Sequence, residues 1–403
     1  MGKKGNSLFK KIDINNVKEK ITAGKDKVNE HIKDLAFIGI LEKKILSETR
    51  AKFPVLDNLI LLTNYKVCGL ALMIVVSVIG NIACGSGGGK SNPSENITAQ
   101  GDNFSDKLQW LSAYGKTSGS YIIEGDANDS IGPRTFIGKV TITIRSVGEN
   151  RTLSLSSIRG TMFTIESGAT LFLENISIYG SIRVNSGGTL ILNEGSDVGT
   201  VYVYNGTFTM NGGTVSGGRG VIMSGGTFNM SDGTIHYNDN SEPGGSGGGG
   251  VSMSGGRFNM SGGTISDNIS TFNHGGGGVF ISGGRFNMSG GTISNNSALG
   301  LGGGVYVSGG TFTMSGGTIS GNTARDGGGG VYVSKGTFTK TGGTITGYTS
   351  DTDNGNVVKS NGAIQNYRGH AVSVPGRKIR ETTADISDNL SWNALTAKGA
   401  WDN

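Results

Sequence analysis

The chain has 403 residues, of which 73 are glycine and only two are cysteine, and its formal net charge is +5. This glycine content argues against ordinary globular domains, and the lack of a strict Gly-x-y period excludes collagen. The basic excess falls within residues 1–66, an asymmetry typical of membrane topology that argues against nucleic-acid binding. Two cysteines and four scattered histidines offer neither a disulfide framework nor metal-ligand spacing, so no cofactor or metal is predicted.

Residues 1–66 alternate charged and apolar positions at helical spacing, which predicts a basic, amphipathic helical region on the cytoplasmic side. An uncharged apolar segment follows at 67–83 and ends at Cys84. Its length is short for a transmembrane helix and long for a signal-peptide core. Two interpretations stay open: a signal cleaved before a lipid-modified Cys84, or an uncleaved membrane anchor spanning segment 67–84. Either one predicts a membrane partner and a flexible tether over 85–104.

The rest of the chain is organised by one repeated motif. It begins at Val201, Val221, Val251, Val279, Val305 and Val331 and reads approximately V-x-V-S-G-G-T-F-x-M-S-G-G-T-I-S. Apolar residues alternate within each short patch, which indicates strands, and glycine pairs separate them where the chain turns. A unit this small buries its apolar face only by stacking on its neighbours, so the motif predicts an all-β fold, a parallel β-helix solenoid of about ten coils.

The predicted solenoid has distinct ends. Residues 105–160, with a short helix at 107–113, are expected to form an N-terminal cap and the first irregular coils, and repeats are expected over 161–374. An exposed C-terminal tail is expected over 375–403. In the sixth unit Lys340 replaces the methionine of the second strand, which indicates that the stack terminates there.

An asparagine recurs three residues after the isoleucine of each unit. One amide per coil can donate to one neighbour and accept from the other, which predicts a structural ladder. Its members are Asn238, Asn268, Asn296 and Asn322. In the sixth unit Tyr348 occupies this position, so the ladder is expected to end at Asn322. The alternative is that asparagine is simply a common turn residue.

The repeat GGGVYVSGGTFTMSGGTISGNTA, introduced by YIIE at 121–124 and MFTIESGATL at 162–171, resembles bacterial right-handed β-helix repeat surface proteins. These are often lipoproteins, and they resemble more distantly the pectate-lyase-like superfamily. The resemblance covers about residues 105–374 and implies a right-handed coil. It implies little about activity, because such folds carry many functions.

Candidate functional residues are few. Asp239 and Asp267 follow the third strands of neighbouring coils and are weak candidates for a catalytic carboxylate pair. Phe280, Tyr306 and Tyr332 stand at the middle of the first strand in three successive coils, which predicts an exposed, stacked aromatic stripe. The alternative is a stack that only stabilises the sheet.

Arg257 and Arg285 also fall in register with each other, and adjacent like charges suggest an anionic ligand. The sequence therefore predicts a non-enzymatic protein of the bacterial envelope, anchored in a membrane, with residues 85–403 outside the cytoplasm. It would present an elongated face for adhesion to a glycan, a matrix component or another protein. The alternatives are a polysaccharide lyase or glycoside hydrolase, and a purely structural envelope component.

Overall fold

The computed structural model describes residues 96–113, 118–156, 160–240, 247–272, 275–374, 378–393 and 396–401. These residues form one helix and many short strands, so the predicted all-β fold class is confirmed. The predicted helical region 1–66, the apolar segment 67–83 and Cys84 lie outside the described residues. Within the described ranges, no helix is long and apolar enough to cross a bilayer.

The described elements follow in chain order. The N-terminal elements are β1 (Asn96–Thr98), α1 (Phe104–Ala113), β2 (Ser118–Gly125), β3 (Asp129–Ile131), β4 (Arg134–Phe136), β5 (Lys139–Ser146), β6 (Arg151–Leu155), β7 (Thr161–Ile165), β8 (Thr170–Glu174), β9 (Ile176–Val184), β10 (Thr189–Leu192) and β11 (Asp197–Val203). The repeats contribute β12 (Thr207–Met223), β13 (Thr227–His236), β14 (Val251–Met253), β15 (Arg257–Met260), β16 (Thr264–Ser266), β17 (Ile269–Ser270), β18 (Val279–Ile281), β19 (Arg285–Met288), β20 (Thr292–Ser294), β21 (Ser297–Ala298), β22 (Val305–Val307), β23 (Thr311–Ser320), β24 (Thr323–Ala324), β25 (Val331–Val333) and β26 (Thr337–Ile345). The C-terminal elements are β27 (Val357–Ser360), β28 (Ala363–Ile364), β29 (Val372–Val374), β30 (Lys378–Arg380), β31 (Leu390–Asn393) and β32 (Thr396–Gly399).

Each strand of a repeat pairs in parallel with its counterpart in the next repeat. Val279 aligns with Val305 in the first strand of the unit, Phe286 with Phe312 in the second and Ile293 with Ile319 in the third. We call these three rows columns A, B and C. Continuous parallel columns of this kind are compatible with a β-helix solenoid, as the repeat predicts.

The interior is built from identical side chains stacked from coil to coil. In column B the rings of Phe208, Phe228, Phe258, Phe286, Phe312 and Phe338 lie 4.5 to 5.3 Å apart from one neighbour to the next. All six rings are fully buried. Burying one such side chain contributes about 2–3 kcal/mol, so the column is a major source of stability.

The glycine runs form a further set of stacked backbones. Gly277 donates its N–H to Gly302, Gly303 donates to Gly328, and Gly329 donates to Gly369. A Cβ placed on Gly277 would lie 2.3 Å from the carbonyl oxygen of Gly303. The backbones therefore approach too closely for any side chain, which explains the glycine runs before column A.

A fourth short strand completes the later coils and was not predicted. β17, β21, β24 and β27 pair in parallel in a second sheet. Their buried positions carry small or varied residues, Ser270, Ala298, Ala324 and Val358. Three of these strands have two residues each, and the four share no apolar pattern, so they leave no periodic signal in the sequence.

The N-terminal end of the stack is covered by α1, which begins at Phe104, three residues before the predicted helix. Phe104, Leu108 and Leu111 are buried, and a Cβ on Gly125 would lie 2.3 Å from the Phe104 ring. β1 pairs in parallel with β2, so residues 96–98, assigned to a flexible tether, belong to the sheet.

The C-terminal end carries a cap, where an exposed tail was expected. β31 pairs antiparallel with β26, and β30 pairs antiparallel with β29. Leu390 and Ala384 are buried, and the ammonium of the buried Lys340 donates to the carbonyl oxygens of Asp385 and Asp388. Lys340 lies in register with Met314, so a core position of the last coil holds the cap. Covering the last parallel edge prevents another chain from pairing with it.

Candidate functional site: an open groove over the early coils

The predicted asparagine positions form a buried, continuous ladder. The side-chain amide of Asn268 donates to Oδ1 of Asn296 at 2.9 Å, and the backbone N–H of Asn268 donates to the same oxygen at 3.0 Å. Asn238 and Asn296 make the same pair of bonds to the next coil. Asn322 continues the ladder to Asn356 at 2.8 Å. These amides are saturated by the protein and leave no groups for a ligand.

The expectation that the ladder ends at Asn322 was wrong. Tyr348 does stand at the ladder position by sequence, but the chain makes an excursion over 348–355 and returns Asn356 to the buried position. Asn356 also donates to the carbonyl oxygen of Thr346 at 2.7 Å. Counting three residues from the isoleucine of the unit does not find Asn356, because the inserted turn lengthens the sequence between them. The ladder position in space is unchanged.

The predicted exposed aromatic stripe is covered. Phe280 is 8% and Tyr306 5% exposed, and Tyr332 is half-buried. The rings of Tyr306 and Tyr332 meet edge to face, with centroids 5.5 Å apart and planes 67° apart, so they do not form a stacked platform. Glycine backbone lies over them, since a Cβ on Gly247 would be 3.1 Å from the Phe280 ring. The stripe stabilises the sheet and offers no flat surface for a sugar.

The two arginines predicted to lie in register are both exposed. Arg257 and Arg285 are adjacent in register on the outer face of column B. Beside them a second, solvent-facing ladder joins Asn287 to Asn259 and Asn259 to Asn229, each at 2.9 Å.

The predicted carboxylate pair does not assemble. Asp239 forms an isolated bridge with Ile269, so its neighbour in the next coil is not Asp267. The cause is the ladder: Asp239 follows Asn238, whereas Asp267 precedes Asn268 and occupies the left-handed turn with φ of 57°. Among the described residues, no three His, Cys, Asp or Glu side chains converge as metal ligands.

A groove of about 700 Å³ opens on the early coils, at the corner where column C leads into column A. There the chain passes directly between columns, through Gly180 inside β9 and through Gly199 and Thr200 inside β11. Later coils insert a loop and a glycine run at the same corner. The groove is lined by Thr152, Leu155, Gly160, Ser177, Ile178, Tyr179, Gly180, Asp197, Gly199, Thr200, Ser216, Gly217 and Gly218.

Asp197 is the single acidic residue of this lining. Its two carboxylate oxygens accept a hydrogen bond from the hydroxyl of Ser216, at 3.0 and 3.2 Å. Burial raises the pKa of Asp197, while the Ser216 bond and the charge of His236 lower it. No lysine or arginine of the described residues forms an ion pair with this carboxylate. As far as the described ranges extend, the groove therefore holds a half-buried carboxylate without a lysine or arginine partner.

Tyr179 supplies an aromatic surface at the same groove and is 80% exposed. It lies on β9, two residues beyond Ser177, so both side chains project from the outer face of column C. The hydroxyls of Ser177, Thr152 and Thr200 complete the polar walls. A planar ring, hydroxyls and one carboxylate around a small groove are the groups that recognise a polar ring-shaped ligand.

Sequence reasoning missed this groove because it searched the regular repeats. Asp197 and Tyr179 belong to coils that match the repeat only loosely, and nothing in their spacing brings them together. The sequence feature that could have indicated the groove is a missing loop. Between Val198 and Val201 the chain has two residues, Gly199 and Thr200, where later units have a loop. A shortened connection predicts an uncovered corner.

Comparisons of the chain with protein-family models, with curated proteins and with solved structures gave no match.

Proposed function

We propose that the chain is a non-enzymatic, right-handed β-helix surface protein of the bacterial envelope that binds a glycan through the groove at Asp197. The observation that carries the proposal is that one open groove is lined by the exposed ring of Tyr179 and by a half-buried carboxylate without a lysine or arginine partner among the described residues. Aromatic rings stack on the apolar faces of sugars, and carboxylates accept hydrogen bonds from their hydroxyls. The volume of about 700 Å³ suits a ligand of a few rings.

A binding role is favoured over catalysis by the composition of the groove. Hydrolysis of a glycosidic bond uses two carboxyl groups about 5–10 Å apart, and the groove lining contains Asp197 alone. Asp239 and Asp267 are not part of the lining.

The test is binding of the purified full-length chain to a glycan array, followed by titration of the best ligands. We expect Tyr179→Ala to weaken binding about tenfold through loss of the stacking surface. Tyr367→Ala is the matched control, because Tyr367 is also 80% exposed but does not line the groove. An array without any ligand contradicts the proposal and favours a purely structural envelope component. Turnover of a polysaccharide that is lost in Asp197→Asn favours the enzyme.

Anchoring is a separate part of the proposal and rests on the sequence of segment 67–84. If Cys84 carries a lipid, Cys84→Ala abolishes lipid labelling and removes the size shift caused by inhibiting the signal peptidase. Labelling and size that are the same in both forms indicate an uncleaved apolar segment instead. Intact mass of the mature protein separates the two directly.

A further inference from the structure

The groove contains a half-buried carboxylate that forms no ion pair with a lysine or arginine of the described ranges. Asp197 sits half-buried, and it accepts hydrogen bonds from the neutral hydroxyl of Ser216 and from the backbone N–H of Val198. Among the residues that the structure describes, His236 is the basic group whose charge acts on Asp197, and it aligns in register with Ser216 on the neighbouring coil. Removing a carboxylate from water without pairing it costs free energy. A ligand that brings a positive charge recovers this cost.

From this we infer that the preferred ligand is an amino sugar with a free ammonium group, held by an ion pair with Asp197 while its ring lies on Tyr179. The inference rests on the proposed glycan-binding function and specifies the ligand class.

The walls of the groove favour a sugar ring over a bare cation. A Ca²⁺ or Mg²⁺ ion needs several oxygen ligands, and Asp197 is the single carboxylate of the lining. Glycine residues at 180, 199, 217 and 218 keep the floor of the groove free of side chains, so a flat ring can approach the backbone. The hydroxyl of Ser177 donates to Asn150 and keeps its acceptor capacity, and the hydroxyl of Thr200 accepts the N–H of Arg219 and keeps its donor. With Thr152, the lining offers ring hydroxyls both donors and acceptors.

The geometry predicts discrimination by a single substituent. An acetylated amine is neutral and larger, so it loses the ion pair and crowds the carboxylate. A hydroxyl at the same place keeps the size but brings no charge. Oligomers of glucosamine, N-acetylglucosamine and glucose with the same linkage and length therefore isolate the contribution of Asp197.

The experiment is titration calorimetry of the full-length chain with these three oligomers at about pH 6.5, where a free amine is still protonated. We expect the glucosamine oligomer to bind at least tenfold more tightly than the other two. Asp197→Asn should make the three affinities equal, because the amide keeps the shape of the carboxyl and loses its charge. Asp232→Asn is the matched control, since it removes an exposed acidic group that does not line the groove.

Each outcome is informative. Equal binding of the three oligomers by the unmodified chain overturns the inference and leaves glycan binding intact. A preference that survives in Asp197→Asn also overturns it, provided that thermal unfolding shows both proteins folded. Failure of all three oligomers, alongside other ligands on the glycan array, overturns the inference alone. Failure on the array as well overturns the proposed function.

Discussion

The early coils around residues 160–218 and the later coils around 251–345 use the same three columns but close the corner between columns C and A differently. In the early coils the strands run on with one or two residues between columns, as at Gly199 and Thr200. In the later coils a loop, an internal asparagine and a glycine run fill the corner. The later coils gain buried hydrogen bonds, and the early coils keep an open groove.

This difference determines what the outer face of column A can do. Phe280 and Tyr306 lie beneath glycine backbone in the later coils. Tyr202, at the corresponding position of an early coil, is half-buried, and the guanidinium of Arg183 lies 6.0 Å from its ring centroid. At the corner between columns C and A, the regular coils are therefore closed by buried backbone, and an open groove is found where the repeat is least regular.

The largest expected effect comes from placing a side chain in the glycine stack. In Gly277→Ala the new Cβ meets the carbonyl oxygen of Gly303 and the backbone of Ser297, which cannot move without breaking the ladder. We expect a loss of about 3 kcal/mol in the free energy of unfolding. Chemical denaturation of the full chain measures it.

Gly362→Asn is the control for this substitution, because a Cβ there meets nothing within 4 Å and its φ of 79° is one that asparagine tolerates. A loss below about 1 kcal/mol is expected for it. Similar losses at both positions would show that the glycine runs are not held by close backbone contact.

The next prediction compares substitutions in the buried asparagine ladder and in the solvent-facing one. Asn296→Ala removes an amide that donates to Asn322 and to the carbonyl oxygen of Ile265, and it leaves the amide of Asn268 without its acceptor. Several buried polar groups lose partners, so we expect a loss of about 3 kcal/mol. Asn259→Ala breaks the corresponding ladder on the solvent-facing side, where water replaces the lost bonds, and should cost about 0.5 kcal/mol.

The same thermal or denaturant unfolding series checks both variants. Equal losses would mean that burial of the inner ladder contributes nothing beyond its hydrogen bonds. A larger loss in Asn259→Ala would reverse the assignment of the inner ladder as the stabilising one.

The fold was predictable to the extent that the sequence repeats. Stacked Phe258, Phe286 and Phe312 follow from a constant core motif, because identical side chains at a fixed period align when units stack. Asn356 was missed since an inserted turn hides its period, and the C-terminal cap was missed since β30–β32 form no repeat. The groove was missed for a third reason: it is produced by absent residues, and the groups around it come from coils with no common motif.

A smaller effect is expected at the C-terminal cap as the pH falls. The buried Nδ1 of His370 accepts the N–H of Val358 at 3.0 Å, and Nε2 lies 3.4 Å from the carboxylate of Glu381, which itself accepts the N–H of Gly369. Tyr348 packs against the ring from the adjoining turn. Burial lowers the pKa of His370, and Glu381 opposes this shift. The folded state therefore holds the neutral imidazole.

The pKa of His370 is lower in the folded state than in the unfolded state. The cap therefore has its full stability above about pH 6.5, and it loses stability as the pH falls toward the folded-state pKa of His370. We expect about 1 kcal/mol of weakening at the cap, seen as lower hydrogen-exchange protection, relative to the intrinsic rate at each pH, at Val358 and in β30 and β31. His370→Asn keeps an acceptor without titrating and should remove the pH dependence. Protection factors that stay constant between pH 7 and 5 in the unmodified chain would contradict the mechanism.

The smallest expected effect is a change in thermal stability on replacing Asp197 in the groove. Burial raises the pKa of Asp197, so its ionised form costs the folded state free energy above that pKa, and the cost disappears as the pH falls toward the unfolded value. Asp197→Asn should therefore raise the thermal unfolding temperature slightly at neutral pH, with the difference closing in acid. A residue that lowers stability and improves binding is typical of a functional site, whereas one that only stabilises the sheet should lower the unfolding temperature when replaced. Measuring unfolding and ligand affinity in the same variant distinguishes the two roles for Asp197.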